Sequence, residues 1–298
     1  MNLLAWSGVN VTVDGEKEGV HMKRLIPILL IAGVLSACAN LKEVRDFATE
    51  SAKFSTYTDL TTRFRDTTDR ERPYLTGDLL AQEEATDKGR KEVYPELLKI
   101  HERVSLYFQT LAKLAGDETF DLSHEVATVG DTLKQHPAFG IEPKHVESYA
   151  SIGNTISKWI TSGYQQSAVR EMVREGDPKI QVLLGGMGDL VRLYRKTNAQ
   201  EKGIVLGFFE VEIPFRNSPQ DALLAALAKT HVQSKTAEYR LVESKYDDAE
   251  RGITKIMQGH RALVDNVNNI SASDVKTLLQ GTSNDIRVLG RHIQSLHN

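Results

Sequence analysis

Apolar residues recur along most of this chain in alternating steps of three and four, the spacing that keeps one face of an α-helix turned toward a neighbour. The longest run is Val242, Tyr246, Ala249, Ile253, Ile256, His260, Leu263, Val267 and Ile270, more than four heptads in one phase. The phase extends backward through Tyr239 and Val232, which predicts a single helix from about Pro219 to Asn269. Ser218 can accept from its free backbone amides, and Pro219 suits the first helical position because its missing N–H has no partner to lose there. A second run, Tyr94, Leu97, His101, Val104, Phe108, Leu111 and Ala115, predicts a helix of about six turns ending near Gly116, with Pro95 confined to its first turn. A third, Val275, Leu278, Thr282, Ile286, Leu289, Ile293 and Leu296, predicts a C-terminal helix capped by Ser271 or Ser273.

Other segments are less regular. Residues 41–66 place Val44, Phe47, Phe54, Tyr57, Leu60 and Phe64 on one broad face, and residues 143–175 do the same with Tyr149, Ile152, Ile156, Trp159, Val169 and Val173. Asp177-Pro178 is expected to end one helix and start another that carries Ile180, Leu183, Met187, Leu190 and Tyr194. A short helix over 121–135 should stop at His136-Pro137. Loops are expected at 67–90, 136–142 and 213–218. Together these elements predict an all-α fold, an elongated antiparallel bundle of six or seven helices, several of them long. No repeat of fixed period near 34 residues appears, nor the paired aromatic and small positions of a tetratricopeptide array.

The chain has 37 basic and 40 acidic residues, a net charge of −3, which offers no field to hold nucleic acid. Its single cysteine changes the picture more. Before Cys38 stand Lys23 and Arg24, an apolar run from Leu25 to Leu35, and small residues, the three parts of a secretory signal. The apolar run is shorter than the roughly 20 residues needed to span a bilayer. Leu35-Ser36-Ala37-Cys38 resembles the lipobox of bacterial lipoproteins. That resemblance covers residues 22–38 alone. It implies cleavage between Ala37 and Cys38, and a covalent diacylglyceryl group and N-acyl chain on Cys38. It also implies a permanent membrane anchor, since more than one chain holds durably. In the same sorting pattern Ala39, in place of aspartate, points to the outer membrane facing the periplasm if the organism has two membranes. With Cys38 lipidated no thiol remains for a disulfide, so stability must come from packing.

The resulting organisation has four parts. Residues 1–21 are polar and precede the signal, which suggests a misassigned upstream extension; Glu16-Lys17-Glu18-Gly19 can be encoded by a purine-rich run resembling a ribosome-binding site just before Met22. Residues 22–37 form the signal peptide, 38–72 a lipid-proximal helix and linker, and 73–298 the helical bundle domain. The lipid-proximal helix can be a stalk or can pack into the bundle.

Candidate chemistry is sparse. The chain lacks H-E-x-x-H, G-x-S-x-G, a phosphate-binding loop and paired-cysteine metal motifs. His124-Glu125 begins like a zinc signature but Thr128 stands where the second histidine belongs. His101 and His260 fall on helix seams, where they are satisfied core residues, or an opposed pair able to bind a metal or titrate between pH 5 and 8, or, with Trp159, the lining of a small-ligand pocket. Leu184-Gly185-Gly186-Met187-Gly188 reads as a close helix crossing more readily than as an anion loop. Residues 203–215 are rich in β-branched and aromatic residues and could be a short strand, a buried helix end or an exposed adhesive segment. If exposed together, Phe208, Phe209, Ile213 and Phe215 form the best candidate partner-binding patch. The expectation is therefore a non-catalytic, lipid-anchored protein without metal or cofactor that binds or organises another cell-envelope component. A sensor or carrier using the bundle interior, and a hydrolase with an unrecognised site, are the alternatives.

Overall fold

A computed structural model describes residues 41–116, 119–130, 132–159, 161–162, 166–213 and 219–294. Ala37, Cys38 and Phe215 lie outside the described residues, as do most of 213–218. The elements are α1 (Lys42–Phe54), α2 (Thr58–Arg65), α3 (Thr67–Glu71), a 3-10 turn (Arg72–Tyr74), α4 (Gly77–Leu114), β1 (Phe120–Asp121), α5 (Ser123–Val129), α6 (Pro143–Ser157), β2 (Thr161–Ser162), α7 (Gln166–Glu212), α8 (Ala222–Asp265) and α9 (Ser273–Gln294). The fold is an all-α helical bundle with several long helices, and residues Leu41–Asn298 form one compact unit. The small strands β1 and β2 pair antiparallel, Phe120 opposite Ser162.

The framework is the antiparallel hairpin of α7 and α8. As α7 advances its partners on α8 recede: Asp177 bonds His260, Gln181 bonds the Met257 carbonyl, Arg195 bonds Asp247, Glu201 accepts from Tyr239, and Phe209 stacks near His231. The seam read from the sequence is the buried face of α8: Val242, Tyr246, Ala249, Ile253, Ile256, His260 and Leu263 are all buried. Against the other side lie α1, α4 and α9. The close approach of α1 depends on two glycines of α8. A Cβ on Gly252 would fall 1.9 Å from the Phe54 ring, and one on Gly259 would fall 2.4 Å from the Phe47 ring. The core runs from Leu41 and Val44 through Phe108, Leu111 and Val173 to Phe64 and Tyr194. No helix among the described residues is long and apolar enough to cross a membrane.

Several boundaries differ from the sequence reading for identifiable reasons. The loop expected over 67–90 is instead α3, a 3-10 turn and the first turns of α4. Its residues are polar because they are exposed or paired, as in Arg72–Glu84 and Lys91–Asp87, and charged residues are good helix formers. Pro95 therefore sits inside α4 instead of in its first turn, and Pro178 sits inside a continuous α7 instead of starting a new helix. Each removes one backbone donor, a loss that tertiary packing along the rest of a 38- or 47-residue helix can outweigh. The helix expected over 121–135 is only α5, because Gly130 takes a left-handed φ of 69° and turns the chain. The helix expected over 143–175 is broken after Ser157, where the chain leaves to form β2. Residues 41–66 are likewise split into α1 and α2 by a turn at Ser55–Tyr57, although Val44, Phe47, Phe54, Tyr57, Leu60 and Phe64 are all buried.

Candidate functional site

Toward the far end of the α7–α8 hairpin the apolar core gives way to a collar of charge. Glu201, fully buried on α7, accepts from Arg63 Nη2 at 3.1 Å, Arg70 Nε at 2.9 Å and Nη2 at 2.7 Å, and the Tyr239 hydroxyl at 3.0 Å. Arg63 also donates to Asn198 and Glu238. Burial alone would lower the Arg70 pKa, but its paired bonds to Glu201 outweigh that and raise it. Burial, then the Glu201 charge, pushes Tyr239 up. At the residue after Arg70, burial, with the charges of Glu83 and Glu201, pushes the Glu71 carboxyl up to about 8. The polar sequence of α2 and α3 thus clamps the hairpin by ion pairs where its apolar seam ends.

Beyond the collar lies an aromatic cluster. The Tyr74 ring stands 5.6 Å from both Phe208 and Phe209, its hydroxyl is 2.9 Å from His231 Nε2, and Phe209 lies 5.3 Å from His231. Past this cluster the hairpin tip is apolar and open. Phe208 is 39% exposed, Val211 61%, Leu223 73%, Leu224 52% and Leu227 60%. A shallow cavity of about 190 Å³ between the two helices is lined by Phe208, Phe209, Ile213, Leu224, Ala225 and Ala228, with Glu212 at its edge.

Of the possibilities open for 203–215, residues 203–212 are the end of a helix and Ile213 is in a 3-10 turn. Phe208, Phe209 and Ile213 are brought together there; Phe208 is exposed and the other two are half-buried. The leucines at 223, 224 and 227 were missed. Their signal was present in the uncharged run Ala222-Leu223-Leu224-Ala225-Ala226-Leu227-Ala228, absorbed into the long seam of α8 although its phase points elsewhere.

The two seam histidines are fully engaged in the core. His101 has Thr61 Oγ1 3.2 Å from Nε2 and the Ser55 carbonyl 3.1 Å from Nδ1, and lies edge-on to Tyr57 at 4.9 Å. Burial pushes it down to about 4, so it is neutral at pH 7. His260 Nδ1 meets Asp177 Oδ1 at 3.0 Å and Nε2 meets the Tyr107 hydroxyl at 2.8 Å. Burial lowers its pKa against the pull of Asp177, and the hydrogen bond from His260 lowers the Asp177 pKa in turn. Trp159 is half-buried against the core. Each of the three has its own neighbours and none lines the tip cavity. Gly186 marks a close crossing, where a Cβ would fall 2.9 Å from His145 of α6, while Gly185 faces open space. Among the described residues no group of three His, Cys, Asp or Glu could hold a metal ion.

No protein-family model, no curated protein and no solved structure matches this chain.

Proposed function

We propose that this chain is a lipid-anchored, extracytoplasmic helical-bundle protein that binds another component of the cell envelope through the α7–α8 tip, without catalysis. The observation that carries the reading is the exposure of Phe208, Val211, Leu223, Leu224 and Leu227 together at a tip held by a charged collar and an aromatic cluster. A group of large apolar side chains left open to solvent while the body of the protein is closely packed marks an interaction surface. The groove between two helix ends suits an amphipathic helix laid across it, its apolar face on the leucines.

The anchor rests on the residues around Cys38, and the bundle supplies a reason for it. Phe47 packs at Gly259, near the end where the chain emerges at Leu41. The stretch of α8 from Gly259 to Leu227 spans about 48 Å at the α-helical rise. The tip at Leu227 therefore stands about that far along α8 from the end of the bundle at which Phe47 packs. Such a protein can hold a partner at a fixed height above the membrane that carries it.

Photocrosslinking in intact cells from position 227, compared with position 288 on α9, tests the reading. The expected result is a discrete adduct from 227 that disappears when Leu223 is changed to Glu. Identical adduct patterns from both positions, or an adduct indifferent to Leu223→Glu, would overturn it. Mass spectrometry of the mature protein tests the anchor separately: Cys38 should carry acyl chains and be the first residue.

A further inference from the structure

The first helix has two unlike flanks. On the side facing α9, cations are answered by carboxylates: Lys42 pairs with Asp46, and Arg287 lies 3.5 Å from Glu50. On the side facing α4 they are not. There an open groove of about 500 Å³ runs between the antiparallel helices α1 and α4, lined by Arg45, Lys53 and Lys113 and by no carboxylate. Its walls include the small residues Ala52 and Ala112, and its Ser105 hydroxyl is already committed to the Ala52 carbonyl at 3.1 Å. Lys53 is partly held by Glu50 at 3.2 Å, whereas Arg45 and Lys113 form no ion pair with a described residue.

Three positive charges of one sign around a concave surface focus a field that attracts anions. Arg45 and Lys113 mark one end of the groove and Lys53 the other, about 12 Å along α1. A guanidinium fork grips a phosphate through two N–H bonds while a lysine adds a point charge, so the pair at Arg45 and Lys113 suits a phosphate better than a dispersed negative surface. The small side chains between the two ends leave room for an uncharged stem.

We infer that this groove binds the phosphate of a membrane-lipid headgroup beside the point where the chain is anchored. The inference rests on the proposed lipidation for the source of the lipid: Cys38 precedes Arg45 by so few residues that the connecting chain spans at most about 25 Å. The headgroup layer that borders the buried acyl chains is then within reach of Arg45 and of Lys113 in the last turn of α4. Seating a phosphate there would fix the tilt and rotation of the bundle, which a flexible thioether link alone leaves free.

The test uses the unlipidated chain from residue 38 to 298 carrying Cys38→Ser, which keeps the whole compact unit. It is sedimented with vesicles of phosphatidylglycerol and phosphatidylethanolamine, and with vesicles of phosphatidylcholine. The expected result is salt-sensitive association with the anionic vesicles, weakened about fivefold by each of Arg45→Gln and Lys113→Gln and unchanged by Lys255→Gln on α8. Circular dichroism of the variants confirms that they remain folded. Absence of anionic-vesicle binding, equal binding by the Arg45→Gln and Lys113→Gln variants, or full competition by millimolar inorganic phosphate would overturn the headgroup assignment. Because the assayed chain carries no acyl group, failure here is distinguishable from failure of the anchor, which the mass of mature Cys38 reports.

Discussion

The Phe54 ring lies directly over the backbone of Gly252, so close that the smallest side chain at that position would fall inside it. The packing of α1 on α8 is therefore written into a hydrogen atom. Gly252→Ala should destabilise the fold by about 2 kcal/mol, since overpacking of about 1–3 kcal/mol exceeds the gain in helix propensity of up to about 1 kcal/mol. At Gly281 on α9 a Cβ would meet nothing within 4 Å, so Gly281→Ala should stabilise by about 0.5–1 kcal/mol. Urea unfolding of the two variants separates steric fit from propensity.

The collar predicts a larger loss. Glu201 answers two arginines, and Glu201→Gln would leave both guanidinium groups without their shared anion. Removing one partner of a buried ion pair costs about 3–5 kcal/mol. Because Arg63 and Arg70 keep 16% and 21% of their side-chain exposure, the expected loss is about 2–3 kcal/mol. Hydrogen exchange should rise chiefly in residues 203–213 and 219–231, beyond the clamp, ahead of any change at Phe47.

Glu71 gives the bundle an alkaline sensitivity. Its carboxyl titrates near 8 in the fold against an ordinary value of 4.5, so above pH 4.5 the unfolded chain is ionised while the folded one still holds its proton. Stability from this group is complete below pH 4.5 and is lost as the pH rises to about 8. Glu71→Gln should remove that dependence, leaving the variant about 2 kcal/mol more stable than the parent at pH 8 and close to it at pH 4.5. Unfolding curves at both pH values decide the matter.

His101 works in the opposite direction. Its folded value near 4 lies below the ordinary 6.5, so between those limits the unfolded chain binds a proton that the folded chain refuses. Stability should fall as the pH drops from about 6.5 to 4. His101→Gln should flatten this acid slope by up to about 1.4 kcal/mol per pH unit while lowering stability at pH 7, since Thr61 and Ser55 lose a fitted partner. A variant with an unchanged slope would place the acid sensitivity elsewhere.

What the sequence made legible follows from what its pattern can encode. The α8 seam, the C-terminal helix and the all-α class are readable because apolar periodicity records the buried face of a long helix. Pro95 and Pro178 misled because a proline reports the local backbone preference, whereas a long helix packed on two sides is held by tertiary contacts that no local rule contains. Glu201, Arg63 and Arg70 were invisible for a related reason: their meeting joins segments more than 130 residues apart. Leu223 and Leu227 could have been found, since they depart from the phase set by Tyr239, Val242 and Tyr246.

That departure also supports the sharpest functional prediction. A leucine at 52–73% exposure contributes little to folding, so Leu223→Glu and Leu224→Glu should each change stability by less than about 0.5 kcal/mol. A structural role would make them costly; an interaction role makes them thermally silent and functionally damaging. By contrast, Phe209 packs edge-on against Tyr74 and tilted against His231, and Phe209→Ala should lower stability as well as binding. If the tip receives an amphipathic helix, a charge placed among its leucines must be desolvated on docking, weakening the complex by about 2 kcal/mol or more, some thirtyfold. Comparing the melting temperature with the yield of the position-227 adduct, variant by variant, reads the two roles apart: loss of the adduct at constant melting temperature is the signature of a surface that exists to be covered.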